Sequence, residues 1–200
     1  MAEEYTAALA MYLSKATGCH AIYTTSKSSE DPNWNRHGSY KAAIAELASS
    51  HQIKFLIDLH GMTNRHHMGV ALGTMHGRAV KHCDVLKPFQ QHNFVAEDAA
   101  AVPAPLKLKE GVQLPKGVGA EQYWQRVVLD HPLFTGGVRN HTVTRFAVEQ
   151  LNLSAVQVEI ASVNRIVHRS AAPDWPFDYR GNPHGIMATV NALITLVNTL

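Results

Sequence analysis

Apolar positions recur along the chain with two different periods, one typical of helices and one typical of strands. Residues 3–16 carry apolar side chains at helical spacing, and Gly18 ends that pattern, so a first helix is predicted there. A second helix is predicted from Tyr40 to Ser49. The closing segment GIMATVNALITLVNTL predicts a third, whose apolar face consists of Ile186, Val190, Leu193, Ile194 and Val197.

Short apolar runs between these helices predict β-strands. The run IKFLIDL, residues 53–59, is apolar enough to be covered on both faces, so we expect a central strand. HAIYTT, MGVALGT and LNLSAVQVEI predict further strands, MHGRAVKHCDVLKPF predicts a helix ending at Pro88, and residues 97–120, rich in proline and glycine, predict a long loop. The alternation predicts an α/β domain with a mostly parallel central sheet flanked by helices.

Composition narrows the class of protein. A chain of 200 residues with 46% apolar content suits a single domain over residues 1–200. The net charge of +2 comes from scattered basic residues, which argues against a nucleic-acid partner, and no run approaches the roughly 20 apolar residues of a membrane span. Only Cys19 and Cys83 occur, without paired spacing, so we expect a reducing, cytoplasmic location. The sequence leaves a homo-oligomer open.

The sequence DLHG places two polar side chains at the end of an apolar strand. Asp58 and His60 are two residues apart, so an extended strand presents both on one face, at the carboxyl end where parallel sheets hold ligands. A histidine beside a carboxylate suits metal ligation or acid–base chemistry. The alternative is a core histidine that bonds a local carbonyl. Gly61 is expected to let the backbone turn sharply beside a bound group.

A second candidate for chemistry is the segment VQVEIASVNR. Val156, Val158 and Ile160 form an apolar face, while the alternate positions present Gln157 and Glu159. A carboxylate at the end of an inner strand can act as a general base, although the same pattern also fits the surface of an edge strand. Arg165 follows, where it could pair with Glu159 or bind an anionic substrate.

These segments together resemble a known family. AEEYTAALA, DPNWNRHGSYKAAI, IDLHGM with ALGT shortly after it, and VQVEIASVNR are similar, in this order, to motifs of the N-formylglutamate amidohydrolase family. The family's fold resembles that of zinc carboxypeptidases, which implies a three-layer domain. The resemblance also implies a zinc-dependent amidohydrolase acting on a small N-acyl amino acid or a related amide. The alternative is a truncated or non-catalytic relative that keeps the fold without a complete metal site.

The resemblance implies a role for individual residues. Zinc ligands would be Glu3, with Glu4 as the less favoured choice, and His60, which Asp58 would orient. Glu159 would be the catalytic carboxylate that activates water. The family's first histidine ligand has no match, so the metal site is expected to be incomplete and an upstream strand to be missing. His66 or His67 could replace that ligand, but adjacent residues of a strand face opposite ways, so at most one could help.

Substrate contacts are implied around the mouth of the same site. A substrate carboxylate would be held by Arg65, Arg139 or Arg165. The segment DPNWNRHG would border the mouth through Asn33, Asn35 and Arg36, although its turn residues also fit an ordinary loop. FTGGVRNHT predicts a flexible rim in which Asn140 contacts substrate, with an ordinary turn as the alternative.

Overall fold

A computed structural model describes residues 4–26, 29–103, 123–171 and 179–200. The helices are α1 (Thr6–Thr17), α2 (Ser39–Ser50), α3 (Lys87–Gln91), α4 (Val143–Leu151), α5 (Ser162–Arg165) and α6 (Pro183–Thr199). The strands are β1 (Phe55–Met62), β2 (Val70–Gly73), β3 (Val95–Glu97), β4 (Arg126–Leu129), β5 (Ser154–Ala161), β6 (His168–Arg169) and β7 (Tyr179–Arg180). Short 3-10 turns lie at Asn64–His66 and Ala99–Ala101.

Five strands form the central sheet in the order β1-β5-β2-β4-β3. β1 runs parallel to β5, and the neighbours β2, β4 and β3 run parallel to one another. The antiparallel pairing of β2 with β5 joins these two groups. β6 and β7 pair separately, antiparallel. The prediction of an α/β fold with a mostly parallel central sheet is therefore confirmed.

Helices cover both faces of this sheet. On one face the alternate side chains of β2 and β5 build the main core with residues of α1, α3 and α6, among them Leu13, Phe89, Leu193 and Leu196. On the other face Ala147 of α4 and Ala155 of β5 form a smaller cluster, against which Ala48 of α2 packs. β5 is consequently buried along seven of its eight residues. Strand alternation therefore leaves its polar residues on the side of α2 and α4.

The position predicted for the IKFLIDL strand is wrong. β1 lies at an edge of the described sheet, where it pairs with β5, and the central strand is β2. Phe55, Ile57 and Leu59 are half-buried, because helices cover them while the described strands pair with β1 on one side only. The strand predicted for HAIYTT is also wrong, since residues 20–25 form no strand. In place of strand pairing, the Ile22 carbonyl accepts a hydrogen bond from the Tyr40 hydroxyl at 3.2 Å, and the ring of His20 lies 4.2 Å from that of His51.

The helix predicted to end at Pro88 is wrong as well. Residues 75–82 form successive turns, and Pro88 stands in the first turn of α3. Proline suits that position because the first amide groups of a helix have no intrahelical acceptor. Upstream, the backbone is left-handed at Met75, His76, Lys81 and His82, which a continuous helix excludes.

The remaining strand and helix predictions agree with the structure at α1, α2, α6, β2 and β5. The long loop predicted over residues 97–120 falls mostly on residues 104–122, which lie outside the described ranges. In the described ranges, every helix is too short or too polar to cross a bilayer.

Candidate functional site

Four polar side chains stand side by side on the two parallel strands β1 and β5. The register pairs Asp58 with Gln157 and His60 with Glu159, so all four project from the same face of the sheet. Each is at most 8% exposed. We call Asp58, His60, Gln157 and Glu159 the polar quartet. Polar groups at such a depth are costly unless they are hydrogen-bonded, so their partners define what the quartet can do.

Asp58 is the anchor of the quartet. Its Oδ1 lies 3.0 Å from His60 Nε2, and its Oδ2 accepts hydrogen bonds from the amide and the hydroxyl of Thr144, at 3.3 and 3.1 Å. Burial alone would raise the pKa of Asp58, but the charge and hydrogen bond of His60 and the bonds from Thr144 hold it below its usual value. An ionised carboxylate only accepts, so His60 Nε2 must donate, which leaves Nδ1 as the ring's other coordinating atom.

Gln157 holds the second carboxylate of the quartet, that of Glu159. Its Nε2 donates to Glu159 Oε1 at 3.3 Å, and its Oε1 accepts from the amide of Gly136 at 3.1 Å. The loop reaches this depth because Gly73, the β2 partner of Gln157, has no side chain: a Cβ there would lie 2.3 Å from Gly136 N. The amide of Gln157 therefore links the 131–142 loop to Glu159.

The amino end of α4 points at Asp58. The first amide, that of Val143, donates to Asn33 Oδ1 at 3.4 Å, the second to Asp58, and the third to the hydroxyl of the cap residue Thr142 at 3.1 Å. Helix ends of this kind favour negative charge. Asn33, predicted as a substrate contact, therefore serves in this structure as a partner of a helix amide.

Lys41 is a member of the site region that sequence reasoning missed. It lies on α2, is 2% exposed, and its ammonium group donates to the carbonyl oxygens of Asn35 and His141, at 2.6 and 2.5 Å. Burial lowers its pKa, against the opposing effect of Asp58 and Asp31. A signal was present, because Lys41 precedes the buried Ile44 by three residues and so shares the inner face of its helix.

Lys41 connects the two loops that the sequence assigned to the site mouth. The 31–38 loop contributes the Asn35 carbonyl and the 131–142 loop the His141 carbonyl. Arg36 Nε also lies 2.9 Å from His141 Nε2, which adds a second bridge between the same loops. The structure thus brings DPNWNRHG and the end of FTGGVRNHT together, as a mouth shared by both would require.

The predicted arginines occupy different environments. The Arg165 guanidinium packs against Gly61, so closely that a Cβ added to the glycine would lie 2.5 Å from Arg165 Cζ. The same guanidinium donates to the carbonyl of Ile160, at 3.0 Å, and to that of Glu4. Gly61 continues β1 and makes room for this group, so the sharp turn predicted there is wrong. By strand alternation, Arg165 lies on the face opposite His60. The structure places the remaining candidates, Arg65, Arg139 and Asn140, at exposed positions.

His66 and His67 follow β1 in a 3-10 turn and a left-handed residue, so the strand alternation assumed for them does not apply. His66 is buried with its ring edge-on to Phe134, at 5.0 Å between centroids. Burial, followed by the charges of Arg65, His131 and His67, lowers the pKa of His66 to about 4. His66 is therefore a neutral group at physiological pH.

The zinc prediction rests partly on residues outside the described ranges. Glu3 lies there, whereas the carboxylate of the less favoured Glu4 pairs with Arg169 at 2.9 Å. Within the described ranges no three histidine, cysteine or acidic side chains are grouped as a metal site requires. His60, oriented by Asp58, is the described member of the predicted ligand set.

The quartet combines two carboxylates, an imidazole and an amide on one face of the sheet. An ionised carboxylate orients an imidazole, and a second carboxylate, held by an amide, stands next to that imidazole on the neighbouring strand. Such an arrangement suits metal-supported or acid–base reactions. Comparison of the chain with protein-family models, with curated proteins and with solved structures found no match.

Proposed function

We propose that this chain is a zinc-dependent amidohydrolase that cleaves a small N-acyl amino acid, similar to N-formylglutamate, or a related amide. The observation that carries the proposal is the 3.0 Å contact between Asp58 and His60, in register with Glu159 on the next strand. Both strand segments belong to the motifs in which the chain resembles the amidohydrolase family.

The described residues fit one part of a zinc site. An imidazole whose second nitrogen donates to a carboxylate is the usual form of a zinc-ligating histidine, because that bond fixes the ring and raises its basicity. His60 would bind through Nδ1, and Glu3 would supply an oxygen ligand. Zinc at this position would supply a Lewis acid that polarises the amide carbonyl.

The chain's own residues would then handle the proton and the substrate. Glu159 would take a proton from the attacking water and return it to the leaving nitrogen, while Gln157 keeps the carboxylate oriented. Arg65, Arg139 and Asn140 are exposed and so accessible to a dissolved carboxylate substrate. Arg165 and Asn33 already bond to the backbone, and their part would be to support the rim.

The experiment measures zinc content and hydrolysis of N-formyl-L-glutamate and related N-acyl amino acids on the same preparations. Glu159→Gln should keep its zinc and lose at least about 100-fold in kcat, because the general base is gone while its shape remains. His60→Ala and Glu3→Ala should lose zinc. Glu149→Gln, an exposed change of the same chemistry on α4, is the matched control and should keep full activity.

Three outcomes contradict the proposal. A parent chain that takes up no zinc removes the metal site, and zinc that survives both ligand substitutions places the metal elsewhere. Zinc bound through His60 without hydrolysis of any of these amides would instead favour the non-catalytic relative.

A further inference from the structure

A cavity of about 530 Å³ opens at the end of the sheet opposite the polar quartet. It lies where β1 and β5 begin, and Phe55 and Ser154, the first residues of those strands, are part of its wall. From Phe55 to His60 the strand advances by five residues, which corresponds to about 16 Å. The cavity is therefore separate from the site proposed above, and what it binds does not depend on that function.

Three lysines supply positive charge to the wall of this cavity. Lys54, Lys81, Lys87 and His82 line it, against one side-chain carboxylate, that of Asp84. Within the ranges that the structure describes, none of the three lysines forms an ion pair. Their charge is accordingly available to a ligand.

The carboxylate of Asp84 offsets only part of this charge, and it is held by backbone amides. Asp84 Oδ1 accepts from the amides of Leu86 and Lys87, each at 3.1 Å, so the carboxylate is held against its own turn. The Cys83 thiol stays protonated near neutral pH, because burial and then the charge of Asp84 raise its pKa. Leu200 also lines the cavity, and in the described part of the chain its main-chain carboxyl group forms no ion pair with a lysine.

The backbone presents Lys81 and its neighbour His82 in an uncommon conformation. Lys81 and His82 have φ angles of 33° and 59°, in the left-handed region that residues other than glycine rarely adopt. Lys81 Nζ donates to Asn152 Oδ1 at 2.8 Å and to its carbonyl at 3.3 Å, both neutral acceptors. The side chain is thus positioned without losing its charge.

The wall also has an apolar part, made by Phe55, Val80 and Pro88. A cavity with cationic groups beside an apolar surface suits a molecule that has both characters. We propose that it binds a small organic anion, with a carboxylate or phosphate group at Lys54 and Lys87 and an apolar body against this surface.

The test uses phenyl phosphate and benzoate as probes, with benzyl alcohol as the uncharged counterpart, in NMR titrations of the full chain. At least one anion should bind, at least tenfold more tightly than benzyl alcohol, and added salt should weaken it. The double variant that carries both Lys54→Gln and Lys87→Gln should bind the anion about tenfold more weakly, since two cationic contacts are lost. Lys15→Gln, an exposed substitution of the same kind on α1, is the matched control for the single variants Lys54→Gln and Lys87→Gln, and it should leave the affinity for the anion unchanged.

Binding of one anion alone identifies phosphate or carboxylate as the recognised group, and either supports the proposal. It is overturned if neither anion binds, if benzyl alcohol binds equally well, or if Lys15→Gln weakens binding as much as Lys54→Gln or Lys87→Gln. Thermal unfolding of each variant checks that the exposed substitutions leave the fold intact.

Discussion

The two ends of the β1–β5 strand pair accommodate charged side chains in opposite ways. Near the carboxyl ends, Asp58 and Glu159 are buried, and each has a protein hydrogen-bond partner that fixes it. At the amino ends, Lys54 and Lys87 are exposed around an open cavity and form no ion pair with described residues. Desolvation forces the first set into a preorganised network, whereas water permits the second set to stay unpaired. Stability should therefore depend on charges at the first end and hardly on those at the second.

Exchanging one lysine at each end for methionine gives the largest expected contrast. Lys41→Met should lower the free energy of unfolding by about 3 kcal/mol, because it removes a charged donor from the carbonyls of Asn35 and His141. Lys54→Met, at the exposed end, should change it by less than about 0.5 kcal/mol. Urea unfolding of both variants measures the difference, and equal effects would abolish the contrast.

The next test exchanges an aspartate at each end for asparagine. Asp58→Asn should cost about 2 kcal/mol, because the carboxylate faces His60 and the amino end of α4. The folded-state pKa of Asp58 is depressed, so its contribution is present above the unfolded pKa of about 4 and is lost as pH falls through the folded value. Asp84→Asn should be almost neutral, since an amide oxygen can accept the same two backbone bonds.

If the chain binds zinc, Asp58→Asn also tests whether Asp58 orients the ring of His60 for metal binding, apart from its effect on stability. An asparagine amide can donate to His60 Nε2, which would move the ring proton to Nδ1, the atom proposed as the ligand. Zinc affinity should then fall by about 10–100-fold. An unchanged affinity in Asp58→Asn would show that the Asp58 contact has no role in metal binding.

The last test concerns His66 and appears as a pH dependence of stability. The folded-state pKa of His66 is about 4, below the ordinary value of 6.5, so the unfolded chain binds the proton more readily and stability falls as pH drops from 6.5 towards 4. We expect a loss of about 2 kcal/mol between pH 7 and 4.5, because each unit by which the pKa is lowered corresponds to about 1.4 kcal/mol. His66→Phe should flatten this slope. Thermal unfolding of the parent chain and of this variant at pH 4.5 and 7 measures the difference.

Sequence reasoning located Asp58 and His60 on one face of their strand, and Gln157 and Glu159 on one face of theirs, because strand periodicity is a local property. That the two faces coincide follows from the register of β1 with β5. Sequence reasoning could not place β1 at the edge of the sheet, since pairing depends on partners far along the chain, and the half-covered β1 has as apolar a sequence as a central strand. The turns before Pro88 were not predicted, because the residues there have a composition typical of helices, whereas the backbone of several of them is left-handed.

The roles of polar residues were harder to predict than their positions. The spacing of Lys41 to Ile44 indicates the inner face of α2, but the carbonyl partners that allow the lysine to be buried come from two loops distant in sequence. Likewise Thr144 was no candidate, because its importance comes from the docking of α4 onto Asp58. Such contacts arise from tertiary structure, and short-range patterns do not contain them.

The pairing of Asp58 with Gln157 also has a consequence for the order of folding. These two residues are 99 positions apart, from 58 to 157, so the strands that carry the quartet meet only after most of the chain has been synthesised. Until then β1 is an apolar segment without its partner strand, and closing so long a loop is slow. We expect the quartet to form late in synthesis, after β5 has left the ribosome. The nascent chain should be most prone to aggregation in the interval in which β1 is exposed and β5 has not yet been synthesised.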